Sequence, residues 1–298
     1  MPTPDTNLAG RTVVITGGTS GIGLKTAERL VAAGAHVTVI GANRTKGSSA
    51  QAAITNAAGP KGGTVDFIAA DLSSMHEVHE LGATLRERLD RLDVLIHNAG
   101  VVSQRRQLTV DGYERTFAVN YLAPFALTAE LLPLLRASAP ARVIALTAAV
   151  EPVGRLPFAD LQRARHYGGL RAYAQSKKAL ALFTVELARR VHGDGITANI
   201  VDPFLVRTDL TSDHDVPLLF KAARPAMISP ATAARWVVRV ATDPDLETTT
   251  GRHFMFGHRA PSWPGSRSHR RAERLWAATT ALVASSAVTS SQGAHEGG

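Results

Sequence analysis

Residues Arg11–Gly23 read RTVVITGGTSGIG, and the rest of the chain can be read outward from them. Arg11–Thr16 is a short β-branched run of the kind that forms a buried strand. It runs without a break into Gly17-Gly-Thr-Ser20-Gly21-Ile22-Gly23, and a helical pattern follows to about Ala33. Strand, glycine-rich turn and helix in this order make a dinucleotide cradle. The glycines permit a tight turn and close backbone approach, and the helix N-terminus faces a pyrophosphate. The spacing is G-x-x-x-G-x-G rather than the commoner G-x-G-x-x-G, so this stretch alone leaves a merely structural turn open.

His36–Ile40 is a second strand. An NAD site would place an acid about twenty residues past the turn, on the ribose 2′-hydroxyl. Here the strand ends Gly41-Ala42-Asn43-Arg44, with no acid and an arginine close by. That favours NADP(H) over NAD(H), because a 2′-phosphate needs a cation; the alternative is that Arg44 simply opens the next helix. Thr64–Ala69 is a third strand, closed by Asp71-Leu72, a pair suited to an adenine edge, and Ser73–Arg91 is a helix with a good cap. Asp93–Ile96 is a fourth strand, ending in His97-Asn98-Ala99-Gly100, where the glycine lets backbone approach a ligand. Asp111–Arg136 reads as one long helix carrying Asn120. An asparagine on a buried face is costly unless bonded, so it is either a site residue or bonded to its own helix backbone.

Ala141–Leu146 is a fifth strand, followed by a loop over Thr147–Leu170 and a helix to about His192. That helix carries Tyr173-Ala-Gln-Ser-Lys177. A spacing of four puts both side chains on one face, and an ammonium beside a phenol lowers the phenol's pKa. Tyr173 thereby becomes a candidate acid/base, against the plainer alternative of a surface pair. Gly195–Val201 is a sixth strand, running into Asp202-Pro203-Phe204-Leu-Val206-Arg-Thr208. A short helical region, a helix capped by Ser229 and a last strand, Arg252–Phe256, complete the core.

Strands alternating with helical lengths predict an α/β fold, a Rossmann-type doubly wound parallel sheet in a single domain. Ligands in such sheets sit at the strands' carboxyl ends. The glycine turn, Asp71, Asn98–Gly100, Thr147–Ala148 and Pro203 all fall there. The dinucleotide-binding domain spans 1–257. Residues 258–298 form a C-terminal extension: a loop, a helix over Arg270–Ala284, and a small, polar end, Ser285–Gly298, expected to be disordered.

The 298 residues suit one large core, and the absence of cysteine removes disulfides and thiolate metal sites. The net charge of +8 is spread over scattered arginines, except around Arg267–Arg274, which argues against nucleic acid. The polar N-terminus lacks the order of a signal peptide, and no uninterrupted apolar stretch reaches the ~18–20 residues of a membrane span. A cytoplasmic protein is expected. His76 and His79 read as a solvated helix face rather than a metal site.

The glycine turn, His97–Gly100, Asn120 and the Tyr173–Lys177 pair together resemble the short-chain dehydrogenase/reductase family over roughly residues 10–257. The stretch from Ala141 through the Tyr173 helix, with the tail RAERLWAAT, is similar to its retinol dehydrogenase-like branch. The resemblance implies that Tyr173 is the acid/base, that Lys177 lowers its pKa and binds the nicotinamide ribose, and that Asn120 holds a relay water. It implies pyrophosphate contacts at Gly17, Ser20, Gly21, Ile22 and Gly23, and adenine-side contacts at Asp71, Leu72, Asn98, Ala99 and Gly100. Pro203, Val206 and Thr208 match the nicotinamide end, with Thr208 on the amide. It also implies a lipophilic substrate and a homo-oligomer. Val150, Val153, Leu156, Phe158, Phe204, Leu205, Trp263 and Trp276 are candidates to cover the cleft. The chain departs from the family at His97, where asparagine is usual, and at Phe204, where glycine is usual and a ring would crowd the nicotinamide. The gravest departure is Ala148, which stands where a serine polarises the substrate carbonyl. Strand geometry would turn Thr147 away from the site.

Overall fold

The computed structural model describes residues 7–207, 227–262, 265 and 268–293, with side chains through 283. Thr208 and Trp263 lie outside the described residues. β1 (Thr12–Thr16), β2 (His36–Gly41), β3 (Val65–Ala69), β4 (Val94–His97), β5 (Ala141–Leu146), β6 (Ile196–Asp202), β7 (His253–Met255) and β8 (His258–Ala260) form one sheet in the order β3-β2-β1-β4-β5-β6-β7-β8. All neighbours are parallel except β7 and β8. β8 was expected to be loop; Phe256-Gly257, both at positive φ, turns the chain back and adds it as an antiparallel edge.

Alternation along each strand divides the core in two. Val13, Ile15, Val94, Ile96 and Ile144 face α1 (Gly21–Ala32) and α7 (Pro230–Thr242); α2 (Arg44–Ala58) adds Ile54 to the same layer. Val14, Leu95, Val143 and Ala145 face α3 (Met75–Arg88), α5 (Ala123–Ala137) and α6 (Gly169–Arg190). A parallel sheet covered on both faces hides its strands from water, which is why they are almost continuously apolar.

The long helix expected from Asp111 begins later and is interrupted. Asp111 and Gly112 belong to a turn, with Gly112 at φ 78° and its N–H on the Thr109 carbonyl. The Glu114 carboxylate then caps α4 (Arg115–Phe117) by accepting from the Thr116 and Phe117 N–H groups. A π turn, Ala118–Leu122, joins α4 to α5, with the Ala123 N–H donating to the Ala118 carbonyl. By length and composition Arg115–Ala137 could cross a membrane, yet 72% of its most apolar window is buried inside the protein. Burial in a core accounts for its apolarity.

The C-terminal helix is also longer than expected. α8 runs His269–Gly293 and includes much of the stretch expected to be disordered. It packs on the α5/α6 side rather than over the cleft. Trp276 stacks on Phe183 (5.7 Å between centroids, 20°) and meets Phe125 edge-on at 4.9 Å, so it is a core residue. Thr279 hydrogen-bonds the Tyr121 hydroxyl at 2.6 Å, and the Tyr113 hydroxyl donates to the Leu282 carbonyl. His79, expected to be solvated, is half-buried against Glu130, whereas His76 pairs with Glu80 on the surface.

Candidate active site

At the carboxyl ends of β1, β2, β4, β5 and β6 lies a cleft of about 420 Å³. Of the residues singled out from sequence, Gly17, Ser20, Gly21, Ile22, Asp71, Leu72, Asn98, Ala99, Gly100, Tyr173, Lys177, Pro203 and Val206 line it. Thr19, Gly41, Ala42, Val102, Gln104, Arg115 and Met227 line it too. Thr19 packs its side chain where a Cβ on Gly41 would sit, a contact no motif announces.

The glycine turn is built by close approach. Gly17 and Gly21 take positive φ (67° and 54°), and a Cβ on Gly17 would lie 2.8 Å from the Ala99 Cα. Gly23 is not among the residues that line the cleft. A Cβ there would meet the Gly17 carbonyl oxygen at 2.3 Å, so this glycine lets α1 start hard against the turn. Ser20 precedes α1 without a side-chain cap, leaving the helix's first N–H groups to the cleft. This concave wall of backbone donors fits a pyrophosphate. Gly23→Ala is expected to weaken NADPH binding at least tenfold, read by quenching of tryptophan fluorescence, because backbone must shift to admit the methyl.

Asn98 lines the cleft and also ties its wall together. Its Nδ2 donates to the Thr16 and Gly17 carbonyls, and its backbone N–H donates to the Thr16 hydroxyl. It clamps the end of β4 to the glycine turn. Arg44 is exposed at the first position of α2 and does not line the cleft, although its neighbours Gly41 and Ala42 do. His97 is buried on Thr128, whose own hydroxyl donates to the Pro124 carbonyl. His97 Nε2 must therefore be the donor, and burial pushes the imidazole down to about 3, so it stays neutral.

Asn120 sits in the π turn, fully buried. Its Oδ1 accepts from the Val101 N–H, and its Nδ2 donates to the Val101 carbonyl and the Ser176 hydroxyl. Both amide hydrogens are thus spent on holding the loop after β4 against α6, and a single Oδ1 lone pair is left for a water. The alternative of a bond to its own helix does not hold. Gly100 lies between Asn120 and Lys177: a Cβ there would stand 3.4 Å from Nζ and 3.6 Å from Oδ1. Its missing side chain leaves room beside Lys177 Nζ at the cleft wall.

Tyr173 is half-buried in the cleft wall, with Lys177 Nζ 5.7 Å from its ring centroid. Nζ donates instead to the Leu146 carbonyl at 2.9 Å. The expected lowering of the tyrosine is not found. Burial, and after it the charge of Asp202, push the phenol above its ordinary value. Burial likewise pushes Lys177 down to about 8, with Asp202 acting in the opposite direction. Lysine and tyrosine lie one turn apart as spacing required, but the lysine's hydrogen bond goes to the end of β5.

Ala148 lines the cleft with no hydroxyl. Thr147 also borders it, but its Oγ1 is buried and has no partner among the described residues. Phe204 takes the left-handed conformation (φ 63°) that suits glycine, held by its N–H on Asp202 Oδ1 at 2.7 Å. Its ring leans on Phe256, 5.7 Å away, and is partly exposed, so it edges the cleft rather than filling it. Val150 and Leu205 line the cleft, Leu156 and Phe158 pack against the core, and Val153 is exposed.

Comparison with known proteins agrees with this geometry. Residues 11–216 match the model of the short chain dehydrogenase family. Retinol dehydrogenase 14 of Mus musculus is 35% identical over 290 residues, covering 92% of this chain and 86% of that protein. Retinol dehydrogenase 13 of Homo sapiens is 35% identical over 289 residues, covering 93% and 85%. Among solved structures, the Pseudomonas aeruginosa RhlG/NADP active-site complex superposes with a TM-score of 0.68 at 28% identity, covering 86% of this chain and 97% of that one. The chain belongs to the short chain dehydrogenase family, in its retinol dehydrogenase-like branch, and is an oxidoreductase of that family.

Proposed function

We propose that this protein interconverts a carbonyl and an alcohol on a lipophilic small molecule, with NADP(H) preferred over NAD(H) and Tyr173 as acid/base. The observation that carries the reading is the placement of Tyr173. It stands in the wall of a cleft also lined by Val102, Val119, Val150, Leu170, Leu205 and Met227, with Lys177 one turn away. When bound, the nicotinamide cofactor supplies or takes up the hydride. Gly17, Gly21 and the start of α1 bind the pyrophosphate, and Asp71 and Leu72 flank the adenine. Arg44, beside a strand end that lacks an acid, meets the 2′-phosphate. Lys177, Pro203 and Val206 bound the nicotinamide end. Tyr173 donates its proton to the substrate oxygen in reduction and accepts one in oxidation. The relatives' name points to lipophilic alcohols, and the apolar wall supports the same class.

Ala148 favours a second reading, a dehydratase, isomerase or cyclase that uses Tyr173 without net redox change. Losing one donor to a developing oxyanion costs ~10²–10³ in turnover, or about 2.7–4 kcal/mol. A slow redox enzyme accommodates that loss; a non-redox enzyme does not need the donor. The test is NADPH consumption across a panel of apolar aldehydes and ketones, with Ala148→Ser alongside. The oxidoreductase reading expects turnover that rises about a hundredfold in Ala148→Ser with unchanged products. No absorbance change in either protein, with a substrate isomerised or dehydrated instead, would sink it.

A further inference from the structure

Past Tyr173, on the side away from Lys177, polar groups join the apolar wall of the cleft. On α6, Leu170, Tyr173 and Lys177 border the cleft at spacings of three and four, one face of the helix. Gln104 packs on the first turn of that helix. A Cβ on Gly169 would lie 2.5 Å from the Ser103 carbonyl oxygen and 3.2 Å from Gln104 Oε1. Gly169 precedes Tyr173 by one turn, a rise of about 6 Å. Gln104 Nε2 is buried and has no acceptor among the described residues. A glutamine's last torsion is soft, so the amide can turn that donor to a ligand in the cleft. Arg115 comes from another segment. From Arg115 to Leu122, Arg115 and Val119 border the cleft, four apart, so the arginine shares the cleft-facing side with the valine. Among the described residues Arg115 forms no ion pair, and its side-chain hydrogen bond to Gln107 Oε1 is 3.5 Å long. The two segments are tied at one point. The Tyr167 hydroxyl donates to the Ser103 carbonyl at 2.7 Å and lies 3.3 Å from Glu114 Oε1. Ser103 and Glu114 immediately precede Gln104 and Arg115. Asn120 pins the other end of the loop at Val101. Among the described residues that border the cleft, the acid is Asp71, which follows β3 at the adenine end.

We propose that Arg115, with Gln104 on the neighbouring segment, forms a substrate subsite for a carboxylate, so that the lipophilic substrate is an amphiphile with an apolar body and an anionic end. The inference rests on the reading that Tyr173 serves the substrate's carbonyl or alcohol. A guanidinium is a planar fork of donors that matches a carboxylate. Lys177, the other cation of the wall, is committed to the Leu146 carbonyl, whereas Arg115 has no partner of opposite charge. Val102, Val119 and Leu170 give the same part of the cleft an apolar lining for the substrate's body. An acid placed there would oppose a carboxylate, and none borders the cleft at this end among the described residues.

The experiment measures kcat and KM with NADPH for dodecanoate carrying a terminal aldehyde and for its methyl ester, in wild type, Arg115→Gln and Arg115→Lys. Wild type favours the acid over the ester in kcat/KM by about tenfold to a hundredfold, the worth of a hydrogen bond to a charged group. The difference lies in KM. Arg115→Gln brings the two substrates level by raising the KM of the acid. Arg115→Lys keeps the charge without the fork and retains part of the preference. A wild type that treats acid and ester alike overturns the proposal. So does a tenfold loss of NADPH affinity in Arg115→Gln, read by fluorescence titration, which would give the arginine to a cofactor phosphate. Calorimetric titration of decanoate and of decanol into NADP⁺-loaded protein reads the subsite without turnover. The acid binds more tightly than the alcohol in wild type and loses that advantage in Arg115→Gln, or the proposal fails. A preference for decanoate that depends on Arg115, in a protein without nicotinamide-linked turnover, would reject the oxidoreductase reading and leave the subsite standing.

Discussion

Tyr173→Phe is expected to lower kcat by about 10²–10⁴ while leaving NADPH affinity unchanged. Removing the hydroxyl deletes the proton donor and nothing else in the wall. The described residues give the phenol oxygen no hydrogen-bond partner to strand, because Lys177 Nζ is taken by the Leu146 carbonyl and Asn120 by Val101 and Ser176. Stability should therefore hardly move, and the loss should fall in kcat. Stopped-flow turnover beside fluorescence titration of NADPH separates the two. Equal turnover in the variant would remove Tyr173 from the chemistry.

The second large effect has the opposite sign in stability and in activity. Lys177 is buried, and its folded-state value of about 8 lies below the ordinary 10.5. The native state therefore binds its proton less tightly than the unfolded chain. That costs stability of about 3 kcal/mol at pH values below 8, where both states are protonated. Between about 8 and 10.5 the unfolded chain alone keeps the proton, so stability rises with pH across this window and the cost is gone above it. Lys177→Met removes the buried charge but leaves the Leu146 carbonyl without its donor, which returns about 1 kcal/mol. A net gain of about 2 kcal/mol at pH 7, with turnover lost, is the expected result. Urea denaturation at pH 7 and pH 10 checks it: the variant is the more stable at pH 7, and the gap narrows at pH 10. A destabilised variant at pH 7 would show that the ammonium is a net support of the fold.

Most of the fold was legible because its signals are local and periodic. The six parallel strands through Ile196–Asp202 were placed to within a residue or two, because a strand buried on both faces is a mostly apolar, β-branched run between polar breaks. The cradle at Gly17–Gly23 was legible because each glycine answers a steric demand, although the demand on Gly23 proved to be internal to the turn. Asn120 was flagged as a polar group on an apolar face, but a π turn leaves no residue pattern, so its pair of hydrogen bonds to Val101 could not be read. The direction of the Tyr173 shift was missed for a related reason. Spacing reports which side chains share a face, not what lies behind them, and Asp202 comes from a strand 29 positions along the chain. Arg44 was chosen for its charge beside a strand end that lacks an acid, and it is not among the residues lining the cleft.

The bonds from α8 to Tyr113 and Tyr121 tie the order of synthesis to the order of assembly. Every residue of the proposed site has left the ribosome before Trp276 and Thr279 are made, yet these two close the core over the helices that carry Asn120 and Tyr173. The nascent chain therefore waits with Phe125 and Phe183 uncovered until α8 arrives. A ribosome stalled just short of α8 should hold a product that chaperones bind and proteases cut, and emergence of α8 should end that vulnerability in one step.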